Sequence, residues 1–211
     1  MTMAAVAREK DITPMTASKW EPYATYATTG QFGALDKGYV RHCGPTAIAN
    51  LLMTFENRYP LFPGKRMLPK KIFRRIALLG RERHYYFNMD RLKILGGTFN
   101  AAAPAYIRRA AALYQREDLA VGFARPSLSV FLKRALDGDA VIYLETILHK
   151  KYGNHHLLLY GYREREEAGS ASKKRKITEF LAADGWSDIP VWLGANSIRT
   201  GFFHPVKKRQ T

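Results

Sequence analysis

Apolar residues recur at helical spacing in CGPTAIANLLMTFENRYP, where Ala47, Ile48, Leu51, Leu52 and Phe55 would share one helix face. Pro45 suits the first turn, where its missing N–H has no partner to lose, and Pro60 closes the segment. The same period returns from Pro69 to Leu79 through Ile72, Phe73, Ile76 and Leu79, with Lys and Arg on the other side, which predicts a basic amphipathic helix. Tyr106, Ile107, Ala110, Leu113 and Tyr114 mark a third helix over about Asn100 to Arg116. Leu128, Phe131, Leu132 and Leu136 mark a fourth after Pro126, with Gly138 placed to end it.

Beyond Gly138 the texture changes. Ala140 to Leu148, His155 to Tyr162 and Ile177 to Ala183 are short apolar runs that read as strands. The segment REREEAGSASKKRK, Arg163 to Lys176, reads as a polar turn joining the last two into an antiparallel pair, and Val191 to Phe203 has room for a further strand or two. Helices first and strands afterwards predict the α+β class, a helical N-terminal part followed by a C-terminal antiparallel sheet. Residues 1–40 show no sustained periodicity and read as an extended arm lying over one domain of residues 41–211.

Charge adds a surface property. Lys and Arg number 34 against 18 Asp and Glu, a formal +16, which favours polyanions, anionic surfaces or acidic peptides as partners. The basic residues are spread along the chain, as in Lys65-Arg66, Arg74-Arg75, Arg108-Arg109 and Lys207 to Arg209, with no nucleic-acid-binding motif among them. No stretch has the length of a signal peptide's apolar core or of a membrane-spanning helix, so cytoplasmic residence is the default expectation.

Three residues carry candidate chemistry. The single cysteine, Cys43, excludes an intramolecular disulfide and a thiolate metal cluster. It stands at the predicted start of a helix, where exposed N–H groups and the positive dipole end would favour a thiolate. His155 opens a strand after Gly153-Asn154, where an imidazole can serve a thiol as base; of His155 and its neighbour His156, only one can face Cys43. Asp184 ends the next strand in ADGWSD, where a carboxylate could accept a hydrogen bond from the imidazole, with Trp186 shielding it from water. His42, His84, His149 and His204 show no metal-ligand spacing, and helix-start geometry would turn His42 outward. This reading needs no metal and no cofactor.

These blocks resemble a known family. CGPTAIANLL resembles the nucleophile helix of the papain-like cysteine peptidases, closest to the branch of bacteriocin leader (double-glycine) peptidases. NHHLLLYGY resembles the His strand of that superfamily, in which the catalytic His stands six residues before the Gly of a Gly-Tyr pair; Gly161-Tyr162 then points to His155. DGWS resembles the element supplying the third member, which points to Asp184. The resemblance implies a central nucleophile helix packed on the C-terminal sheet, and a thiol hydrolase that cleaves a peptide or amide bond in a peptide or protein substrate. It also implies an oxyanion-hole Gln about six residues before the Cys. Position 37 is Lys and the nearest upstream Gln is Gln31, leaving Gln31 and the Cys43 backbone N–H as candidates. The alternative expectation is an inactive module of the same fold that binds a polyanion or acidic partner through its basic surface.

Overall fold

The computed structural model describes residues 41–61, 68–87, 97–168, 174–186 and 189–210. The arm expected over 1–40, and Gln31 within it, lie outside these residues. Helix α1 spans Cys43–Arg58, α2 Pro69–Glu82, α3 Ala103–Leu113 and α4 Ser129–Asp137. A two-stranded ribbon of β1 (Tyr86–Phe87) and β2 (Gly97–Thr98) follows α2. The strands β3 (Leu119–Val121), β4 (Arg125–Pro126), β5 (Val141–His149), β6 (Gly153–Ala168), β7 (Lys174–Ala183), β8 (Val191–Gly194) and β9 (Phe202–Lys208) form one antiparallel sheet. Its order is β3-β9-β5-β6-β7-β8, with β4 also on β9. The class is α+β, as the sequence predicts.

Alternation along the strands divides the core in two. Val141 and Tyr143 of β5 face the same side as Leu158 of β6 and Val206 of β9, and pack with Ile48, Leu51, Leu52 and Phe55 of α1 and the apolar stripes of α2 and α3. Ile142, Leu144, Leu157 and Leu159 face the other side and pack with Leu132 and Leu136 of α4. Helix α1 is buried nearly all round from Gly44 to Phe55, with α2 on one flank and the sheet on another.

The polar segment Arg163 to Lys176 departs from its expected turn. β6 runs on to Ala168 and β7 begins at Lys174, so most of this stretch is strand. Cross-strand ion pairs hold it. Arg163 and Arg165 both donate to Glu179 Oε2, at 2.7 and 3.2 Å, and Lys133 and Lys176 close on Glu164 at 2.8 and 2.7 Å. The two ammonium groups hold the Glu164 carboxyl down at about 2. Opposite charges facing across a ladder stabilise strands without an apolar signal, which is why the composition resembled a loop.

Candidate functional site

Cys43 is the first residue of α1, after the N-cap His42, and no side-chain cap or first-turn acid blocks the helix start. The sulfur is accordingly held by backbone N–H groups of His156, Gly44 and Cys43 itself, each of which favours the thiolate. Burial outweighs them, and the nearby charge of Glu145 adds to it, so the thiol is raised above its ordinary value. The depression expected from the helix start alone is therefore overturned by desolvation. Neither imidazole is among the groups that bond the sulfur.

His42 is also corrected. It is buried rather than outward, with its ring edge-on to Phe73 at 5.1 Å and its Nδ1 3.1 Å from Thr46 Oγ1. The core that α1 and α2 enclose takes it in.

His155 lies on β6 opposite Thr146, and its register puts it on the α4 side of the sheet, while His156 faces the α1 side opposite Glu145. The His155 ring donates through Nε2 to the backbone carbonyl of Asp184 at 2.7 Å. A carbonyl only accepts, so Nε2 carries the proton in the neutral ring and Nδ1 keeps a lone pair, the form a general base needs. The ring stacks on Tyr152 at 5.5 Å and meets Trp186 at 4.9 Å. Burial lowers its pKa, partly offset by the Asp184 carbonyl and carboxylate.

Asp184 therefore holds His155 Nε2 through its main-chain carbonyl, where the sequence expected the carboxylate to make that bond. The carboxylate accepts from the Tyr152 hydroxyl at 2.9 Å and from the Trp186 N–H at 2.9 Å, with Lys151 Nζ 3.8 Å away. Gly185, at φ 71, lies in the left-handed region, which permits the tight Asp184–Trp186 turn and lets the indole meet His155. Tyr152 was not foreseen from sequence. The irregular β5–β6 turn delivers it: His149 Nδ1 accepts from the N–H groups of Lys151 and Tyr152, and the ladder shifts register between Thr146 and His149.

A second group was also missed. Glu145 is buried on the α1 side of β5, with burial holding its carboxyl up at about 7. His156 opposite it is pushed down to about 3, by burial first and then by the charges of His155 and His204. A lone carboxylate in the apolar run AVIYLETIL was the available signal.

No protein-family model matches the chain, and no curated protein matches its sequence.

Proposed function

We propose that the chain is a papain-like thiol hydrolase with Cys43 as nucleophile and His155 as base. The observation that carries this reading is the pinned imidazole. Nε2 of His155 is fixed on the Asp184 carbonyl under Trp186, while the Cys43 sulfur rests on the N–H of the very next residue, His156. With the thiol raised and the imidazole lowered, the resting pair is neutral. On attack the thiol proton passes to Nδ1 of His155 as sulfur bonds to the carbonyl carbon of a peptide or amide. The tetrahedral oxygen takes the Cys43 N–H, and His155 then protonates the leaving amine. Water, deprotonated by the same Nδ1, cleaves the thioester and restores the thiol. The basic surface would steer acidic substrates toward the site.

One observation favours the second reading, an inactive binding module: burial keeps the Cys43 thiol protonated and no imidazole bonds it. Alkylation by iodoacetamide decides between them. The hydrolase reading expects Cys43 at neutral pH to react at least about tenfold faster than a free thiol of equal pKa, and His155→Ala to remove that excess. Equal rates in both proteins, together with salt-sensitive binding to a polyanion, would establish the module instead.

A further inference from the structure

Beside the nucleophile, on the α1 side of the sheet, lies a second set of polar groups. Tyr143 and Glu145 share that face of β5, His156 stands opposite Glu145, and His204 of β9 stands opposite Tyr143. Thr98 of β2 lies against Gly44 and turns its carbonyl toward the His156 ring. Four atoms here are buried without a hydrogen-bond partner: Thr98 Oγ1, Tyr143 Oη, Glu145 Oε1 and His156 Nδ1. The other such atoms among the described residues, on Tyr114, Asp139 and His149, are scattered over other elements. An unpaired buried polar atom costs on the order of 1–3 kcal/mol, so a cluster beside a nucleophile calls for a ligand that satisfies it.

We propose that Thr98, Tyr143, Glu145 and His156 form a subsite that binds a primary ammonium group of the substrate next to the Cys43 sulfur. The set is rich in acceptors. Glu145 offers a carboxylate oxygen, His156 Nδ1 keeps its lone pair because the Thr98 carbonyl draws the proton to the other nitrogen, and the two hydroxyls accept or donate. Burial alone shifts Glu145, and no Lys or Arg among the described residues supplies it a counter-charge. An ammonium brings three N–H donors and the missing charge in a compact group. Entry is from the end of the sheet where Cys43 and Thr98 are partly exposed and Phe202, opposite Glu145 on β9, is 45% exposed.

The placement of the ammonium beside a reacting carbonyl rests on Cys43 being the nucleophile; the binding itself does not. The test is the rate at which iodoacetamide alkylates Cys43 in the full chain, with methylammonium or tetramethylammonium at matched ionic strength. Methylammonium should slow alkylation at least about threefold at pH 8 and less at pH 6, where Glu145 is protonated; tetramethylammonium, with no N–H donor, should not. Glu145→Gln should abolish the protection and Tyr143→Phe should weaken it, the second variant deciding if the first does not fold. Equal protection by both cations, protection retained in these variants, or no protection overturns the subsite. Failure of the hydrolase reading would appear separately, as an ordinary alkylation rate without any amine.

Discussion

On the α4 side of the sheet, the groups around His155 satisfy one another: Nε2 meets the Asp184 carbonyl, the carboxylate takes the Tyr152 hydroxyl and the Trp186 backbone N–H, and two mutually touching aromatic rings contact the imidazole. On the α1 side, His156 is as deeply buried but faces a carboxyl, a phenol and a threonine hydroxyl that leave lone pairs and protons unmatched. The chain places these two environments one residue apart. The first is preorganised, with the ring held and one nitrogen reserved for proton transfer. The second is costly to the fold and makes physical sense only if something else completes it.

The largest effect that can break this contrast is catalytic. His155→Ala should lower amide hydrolysis by roughly 10³-fold or more, as loss of a triad base does, measured as kcat/KM on a peptide library. His156→Phe, which removes a ring held at about 3, should leave proton transfer in place. The reverse ranking would move the base to the α1 side and sink the assignment. Next in size is a stability effect. Glu145 loses its proton near 4.5 when unfolded and near about 7 when folded, so its stabilising contribution is complete below 4.5 and lost as pH rises to about 7. On the order of 3 kcal/mol is at stake. Urea unfolding should show the native chain losing stability between pH 5 and 8, with Glu145→Gln flattening that slope. His156 acts in the opposite sense, its contribution being complete above 6.5 and lost as pH falls toward about 3.

How much of this was legible in the sequence follows from how local each feature is. The helix of Cys43 and the apolar cores of β5, β6 and β7 are local patterns, and they formed where periodicity placed them. The outer halves of β6 and β7 were not legible, because their stability comes from Glu179 and Glu164 meeting cations on neighbouring elements, which no window of sequence displays. Which of His155 and His156 faces α1 was equally hidden. It is set by the pairing Glu145↔His156 between strands, and a slip of one residue would exchange their faces. The Gly-Tyr spacing pointed to His155, but only the register showed that the two rings enter different environments.

A smaller effect probes how closely β2 covers the nucleophile. A Cβ at position 44 would sit 1.8 Å from Thr98 Oγ1 and 2.6 Å from Thr98 Cβ. Gly44→Ala should therefore cost about 1–3 kcal/mol in chemical unfolding, with Thr98→Ala recovering part of it. No cost at all would mean the ribbon does not lie over the helix start, and the α1-side cluster would lose one wall.

The smallest expected change is the most discriminating. Because the main-chain carbonyl of Asp184 holds His155, Asp184→Asn should keep the imidazole in place. The amide oxygen can still accept from the Trp186 backbone N–H, and the NH2 can donate to the Tyr152 hydroxyl oxygen, reversing that bond, so the turn also survives. What is lost is the carboxylate's charge, which raises the His155 pKa, so the imidazole should titrate lower while kcat falls by no more than about tenfold. Replacing the carboxylate of a triad in which the side chain itself fixes the tautomer costs about 10⁴-fold. The two expectations differ by three orders of magnitude. A loss near the larger figure would show that the working enzyme orients its base through the Asp184 side chain, as the resemblance alone implied, and that the carbonyl contact gives way when substrate binds.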